Sequence, residues 1–325
     1  MDIRLNLIRS WLENDLKLTI LSIEPASADA SFRRYFRVET DDGVWIIMDA
    51  PPEKESIVEF IAIAKELALT GVHAPAIKAQ NIPKGLLLLE DLGCRTYLDE
   101  LSKHSDSLYS DAINALMQIQ QGSPEFEIPI YNSHKLLEEM DLFEHWYIKK
   151  HLNTSINEPM EKAWQECKQF LVSVCQEQPQ VWVHRDYHSR NLMITNENSP
   201  GVIDFQDMVI GPIAYDLASI FKDCYIEWPR QQQLHWIEQY RQQANETLDI
   251  NNIGRTELIR WYDLTGLQRH LKVLGIFCRL YYRDGKDQYL NDLPLVAKYT
   301  LEALDLYPEL ATFKQLFKPL IKQAL

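Results

Sequence analysis

Residues 181–207, VWVHRDYHSRNLMITNENSPGVIDFQD, hold the side chains best suited to chemistry. Asp186 follows an apolar run (Val181, Trp182, Val183), Asn191 stands five residues later, and Asp204 closes a further apolar run ahead of Phe205. An Asp, an Asn at that spacing and a second Asp at the end of the next strand fit phosphoryl transfer. The loop carboxylate accepts a hydroxyl proton, and the amide and second carboxylate offer oxygens to magnesium. Magnesium is a hard cation that keeps several waters, so two protein oxygens plus nucleotide phosphates suffice to hold it. The elements that must present these groups are three short strands: 181–183, 192–194 and one ending at Asp204. Turn chemistry at 196–201, with Pro200 before Gly201, lets them fold back beside one another and bring Asp186, Asn191 and Asp204 together.

The whole chain sets the frame for that stretch. Its 325 residues suggest one large or two modest domains, and 46% hydrophobic residues are enough for real cores. A formal charge of −14 argues against unspecific binding to nucleic acid or anionic membranes, while leaving the local sign of a cleft open. The five cysteines (Cys94, Cys167, Cys175, Cys224, Cys278) are scattered without a C-x-x-C pair, which favours neither a disulfide framework nor a zinc site and suggests reducing cytoplasm. No apolar run reaches membrane-spanning length, and no segment points to a protein partner. MDIRLNLIRSWLEND reads as a packed helix with Ile3, Leu7, Ile8, Trp11 and Leu12 inward.

Strands are expected at 18–24, 32–39 and 44–49, the last two joined at Asp42-Gly43, and again at 86–89. A helix over 53–70, with Ile57, Phe60, Ile61, Ala64 and Leu67 on one face, should stop at Gly71. The loop at 25–31 contains no glycine, so it is not a Gly-rich phosphate loop. Ser27, Ser31 and backbone amides could still reach phosphate oxygens; a small polar hairpin turn is the alternative. Helical spacing then covers 97–120, 136–151, 160–176 and most of 228–325, with breaks at Gly254, Asp284-Gly285, Pro294 and Pro308. The GPIAYDLASIF segment reads as a loop entering a helix.

HRDYHSRN, IDFQD and GPIAYDLAS together resemble the aminoglycoside phosphotransferase and choline kinase superfamily, relatives of the protein kinases that act on small hydroxylated molecules. The resemblance runs from about Ala26 to the helices beyond Asp216. It implies an α+β, bilobal protein-kinase-like fold with a β-rich nucleotide-binding lobe, 1–92, a mainly helical catalytic and substrate-binding lobe, 93–325, and ATP and magnesium between them. It also implies that Asp186 is the catalytic base, that Asn191 and Asp204 are the metal ligands, and that Asp216 steadies the catalytic loop. Glu90 and Leu92 would pair the adenine through main-chain groups at the hinge.

The third strand departs from the family, because Met48 stands where the phosphate-binding Lys is expected and no Lys occurs between Lys17 and Lys54. Arg33 and Arg34 are the cations at hand, and strand alternation would aim one of them at the nucleotide. SFRRYFRV, IMDAPPE and LLLEDLG are in addition similar to the anomeric amino-sugar kinases of cell-wall sugar recycling. That implies a small-molecule acceptor, the C1 hydroxyl of N-acetylmuramate or N-acetylglucosamine. The lactyl carboxylate of muramate then needs a cation or donor, with His188, Arg190, Arg279 and Arg283 as candidates. Asp207, with Asp223 and Glu227, would instead suit a polycationic aminoglycoside. Another small-molecule kinase and, because of Met48, a non-catalytic nucleotide-binding regulator are the competing readings.

Overall fold

Four consecutive leucines, residues 86–89, are no more than 3% exposed, because the strand they form lies inside a sheet and not at its edge. The computed structural model describes residues 2–28, 32–122 and 126–325, apart from the side chains of residues 27 and 28. Along the chain, α1 (Ile3–Ser10) precedes β1 (Ile20–Ala28), β2 (Arg34–Thr40), β3 (Gly43–Asp49), α2 (Val58–Thr70), β4 (Ile77–Asn81) and β5 (Leu86–Glu90). Next come α3 (Tyr97–Gln120), α4 (Ser133–Leu142) with a π-helical continuation to His151, and α5 (Glu158–Gln176). Four short strands follow: β6 (Gln180–Val183), β7 (Leu192–Met193), β8 (Gly201–Val202) and β9 (Val209–Pro212). The chain finishes with α6 (Tyr215–Phe221), α7 (Arg230–Thr247), α8 (Arg255–Asp284), α9 (Leu293–Leu306) and α10 (Ala311–Ile321).

These elements form two compact units, Met1–Tyr97 with Asn191–Gln206, and Leu98–Arg190 with Asp207–Leu325. In the first, an antiparallel sheet of order β1-β2-β3-β5-β4 packs Phe36, Val38, Ile47, Leu86 and Leu88 against Ile8, Trp11 and Leu12. Ile3, expected inward, is 82% exposed. At 3.6 residues per turn it points roughly 140° away from Ile8, so it cannot share that face. The β2–β3 turn is Asp41-Asp42 and not Asp42-Gly43, since Thr40 pairs with Gly43, which opens β3 at φ +136°. The helix starts at Val58 and not near Glu53, because residues 51–55 form a separate turn closed by Lys54 N and Glu55 N on Pro51 O (2.9 and 3.0 Å). It ends at Gly71 in the left-handed region, as the sequence suggests.

The β7–β8 hairpin belongs to this first unit, tied in by Val202 N on His73 O (2.8 Å) and Ile194 N on Arg95 O (2.9 Å). Hence the unit contains 93–97 and 191–206 in addition to the 1–92 anticipated. β7 pairs with β8, whereas β6 pairs with β9, a strand that the sequence presented as loop.

The second unit is built round α8, whose residues are buried almost without interruption from Trp261 to Gly275, with α4, α5, α6 and α9 against it. Gly254 and Gly285 bracket the helix, the latter left-handed at φ +69°. Gly275 lets α8 approach the end of α4: a Cβ there would sit 2.2 Å from the carbonyl carbon of Leu142. Among the described residues no helix is long and apolar enough to cross a membrane.

Candidate active site

In the second unit, β6 delivers the chain into the loop that carries Asp186. Arg185 sits at φ +75°, a conformation costing a residue with a Cβ about 1–2 kcal/mol. The buried carboxylate of Asp216, in the first turn of α6, accepts from His184 N at 2.7 Å and Arg185 N at 3.0 Å and so fixes that conformation. Burial pushes Asp216 up to about 7, against the two amide bonds that favour its charge. The Arg185 guanidinium donates to Glu139 Oε1 at 2.6 Å and to Asp207 O at 3.3 Å, and Lys272 Nζ lies 3.0 Å from Glu139 Oε2. Tyr131 donates its hydroxyl to the same Glu139. Arg269, from α8, places Nη1 3.6 Å from Asp186 Oδ1. Burial acts to raise Asp186, but Arg269 first, then Lys272, His188 and Arg185, hold it well below the usual carboxylate range. Asp186 is therefore ionised at neutral pH.

In the first unit, Asn191 precedes β7 and Asp204 lies just beyond β8 at φ +64°. The two meet, with Asn191 Nδ2 3.4 Å from Asp204 Oδ2. Gln206 Nε2 donates to Asp204 Oδ1 at 2.7 Å, and Ile203 N donates to Asn191 O at 3.1 Å. Phe205 packs on Phe60 of α2 with ring centroids 4.6 Å apart, anchoring the strained Asp204 turn. One carboxylate and one amide make a hard oxygen donor set that fits magnesium, once rotation of the Asn191 amide presents Oδ1. Among the described residues no group of three or more His, Cys, Asp or Glu could hold a metal.

The nucleotide candidates separate into distinct groups. Ser27 lies on β1 opposite Tyr35, and Ser31 falls outside the described residues. Met48 is fully buried, opposite Tyr35 and Leu87. Strand alternation does not sort the two arginines, because β2 begins at Arg34 and Arg33 precedes it. Arg34 bonds Asp49 through Nη2 (2.6 Å) and Nε (3.1 Å); Arg4 reaches the same buried carboxylate through Nε (2.8 Å). It is committed to holding the sheet to its N-terminal helix. Arg33 Nε instead meets Glu55 Oε2 at 2.7 Å, and Glu55 Oε1 also accepts from Phe32 N at 3.0 Å. At the end of β5, the Glu90 amide donates to Ala76 O (2.9 Å), while its carboxylate accepts from Ala76 N (3.1 Å) and contacts His73 Nε2 (3.2 Å). The Leu92 amide has no acceptor among the described residues. Arg37 braces this turn, donating to Asp91 (2.6 and 2.8 Å) and to Gly93 O (2.9 Å).

Of the acceptor candidates, Arg190 stacks 3.5 Å from the centroid of Tyr225, and His188 meets the same ring edge-on at 5.4 Å. Burial lowers the His188 pKa, and Asp223, the next largest influence, opposes it. Asp207 is exposed and engages Arg185 only through its carbonyl among the bonds described. Arg283 is exposed and paired with its neighbour Asp284 at 2.8 and 2.9 Å. Arg279 is half-buried, with its pKa lowered by burial and then by Arg283. Sequence reasoning missed Glu139, Arg269, Lys272, Arg37 and Glu55. A signal existed for Glu139, which shares a helical face with Leu136, Met140 and Phe143, where an acid needs a partner.

The loop Asp of the second unit and the Asn191–Asp204 pair of the first are each of the kind a phosphotransferase uses. The chain matches the phosphotransferase enzyme family over residues 22–256 and belongs to it. A relative in Pseudomonas putida, 41% identical over 98% of this chain and 97% of its own, is named N-acetylmuramate/N-acetylglucosamine kinase. One from Pseudomonas aeruginosa with the same name is 38% identical over 98% and 97%. The fold is shared with a choline/ethanolamine kinase family protein from Mesorhizobium loti, 14% identical, covering 96% of this chain and 100% of that one at a TM-score of 0.66. An ADP-bound aminoglycoside phosphotransferase, 15% identical over 96% and 99%, gives 0.56. The α+β kinase-like architecture expected from the sequence is thus the one found.

Proposed function

We propose that the protein is an ATP-dependent sugar kinase that transfers the γ-phosphoryl group to the C1 hydroxyl of N-acetylmuramate and N-acetylglucosamine. The observation that carries the acceptor is the 41% and 38% identity, over 98% of this chain, to kinases named for these two sugars. Asp186 orients the anomeric hydroxyl and takes its proton. That hydroxyl is more acidic than an ordinary alcohol, so a carboxylate of low basicity is adequate when proton loss comes late in a loose transfer. Asn191 and Asp204 hold magnesium, which when bound neutralises charge on the phosphate oxygens. Asp216 fixes the backbone before Asp186, and Arg269 keeps its carboxylate ionised. Arg33, braced by Glu55, is the cation nearest in sequence to the loop at 25–31 and takes the part of the absent Lys. The Glu90 carbonyl and Leu92 amide receive the adenine. Dependence on ATP is in keeping with a cytoplasmic place.

The test is a panel of acceptors (N-acetylmuramate, N-acetylglucosamine, choline, an aminoglycoside), with ATP consumption followed and products assigned by phosphorus NMR. Phosphate on C1 of the two amino sugars is expected. Phosphate on C6, or activity on choline or the aminoglycoside with none on the sugars, overturns the reading.

A further inference from the structure

Helix α8 carries a row of cations on one face, Arg269, Lys272, Arg279 and Arg283, at successive intervals of three, seven and four residues. Three of them meet an acid: Arg269 lies 3.6 Å from Asp186, Lys272 3.0 Å from Glu139 and Arg283 2.8 Å from Asp284. Arg279 differs. Among the described residues it has neither an ion pair nor a hydrogen bond, and its Nε is shut off from solvent. A chain with 47 acids and 33 basic residues has carboxylates in excess, so a half-buried guanidinium left without one is not a shortage of partners. Asp284 and Glu139 favour its charge only without direct contact, and leaving a half-buried guanidinium without a direct partner is costly, a cost that an arriving anion recovers.

The position of Arg279 fits an acceptor group. It stands two turns, about 10 Å along the axis, beyond Lys272, and side chains on a helix lean towards its N-terminus. That direction leads back along the row to Lys272 and Arg269, and so towards Asp186. The other cationic candidates are engaged, Arg190 on the Tyr225 ring and Arg283 with Asp284. The two proposed acceptors differ at one place: N-acetylmuramate bears a lactyl ether with a carboxylate where N-acetylglucosamine has a hydroxyl. We infer that Arg279 binds this carboxylate and is the residue that favours N-acetylmuramate over N-acetylglucosamine. The inference rests on the acceptors proposed above. A guanidinium suits it because its parallel N–H groups match both carboxylate oxygens.

The experiment measures kcat/KM for both sugars in the wild type, Arg279→Met and Arg279→Lys, alongside thermal melts. In Arg279→Met the muramate-to-glucosamine ratio should fall about 10- to 100-fold, the range of a charged hydrogen bond, and the loss should lie mainly in the KM for muramate. Arg279→Lys should recover part of the ratio, and it decides the matter if the Met variant does not fold. An unchanged ratio in a variant that still turns over sugar overturns the assignment of Arg279 alone. A wild type that phosphorylates neither sugar overturns the proposed function, and this inference with it.

Discussion

Arg269 and Asp186 approach to 3.6 Å, with the arginine side chain 4% exposed and the aspartate 42% exposed. The cation is locked into a packed helix while the carboxylate is partly exposed to solvent. The pairing has two effects that pull in opposite directions. It favours the ionised form of Asp186, and it makes the carboxylate a weak base, so in the proposed reaction the residue would serve more by orienting the hydroxyl than by early proton removal.

Asp186→Asn should lower kcat by about 10²- to 10⁴-fold, the usual worth of a positioned base, with the fold retained. The melting temperature should drop somewhat, because Arg269 then faces a neutral amide. Steady-state kinetics and a melt on the same preparation check both, and a near-normal kcat in folded protein would remove Asp186 from the mechanism.

Arg269→Met should move the acid limb of the kcat/KM profile to higher pH. Asp186 has a depressed pKa, so its contribution to stability is present above the ordinary carboxylate pKa of about 3.9 and is lost as pH falls below it. Removing the largest of the opposing influences lets burial raise that pKa; Lys272, His188 and Arg185 still act downwards. Asp216 shifts the other way. Raised to about 7, it contributes stability that is present below about 4 and lost as pH rises through 7. A pH–rate profile identical to the wild type would show that Arg269 has a packing role only.

Asp204→Ala and Asn191→Ala should both weaken magnesium-dependent nucleotide binding, Asp204→Ala the more, since it removes a charge where the other removes a neutral oxygen. Calorimetric titration with and without magnesium is the measurement. Affinities unchanged in both variants would place the metal elsewhere.

Much of this was readable before the structure. The leucine run at 86–89, the glycine stops at Gly71 and Gly285, and the Asn191 to Asp204 spacing each have a local cause, so the sequence carried them. β9 was not readable: Val-Ile-Gly-Pro has no strand pattern, and only pairing with β6 makes it one. Arg269 and Lys272 were hidden because α8 is enclosed on most sides over residues 261–275, so its Asp263, Gln268 and His270 are buried as well and polarity does not tell a buried side of the helix from an exposed one there. The partners of Arg33, Arg34 and Arg37 lie 22, 15 and 54 residues away in sequence, distances at which no local rule selects a partner.

Arg33 and Arg34, the two candidates for the role of the absent Lys, should part company on mutation. Arg34→Ala removes two bonds from the buried carboxylate of Asp49 and leaves it to Arg4. With one cation remaining, the expected loss is about 1–3 kcal/mol of stability, less than for an unpaired buried charge, with nucleotide affinity little altered in protein that stays folded. Arg33→Ala frees Glu55, which is near the surface and still accepts from Phe32 N, so stability should change less. If Arg33 serves phosphate, its loss should raise the Kd for nucleotide or lower kcat by tenfold or more, on the scale of one charged hydrogen bond. Denaturant unfolding and nucleotide titration on both variants give the four numbers needed. Equal, small effects on affinity would leave phosphate to backbone amides and magnesium, and a larger loss of affinity in Arg34→Ala than in Arg33→Ala would reverse the assignment.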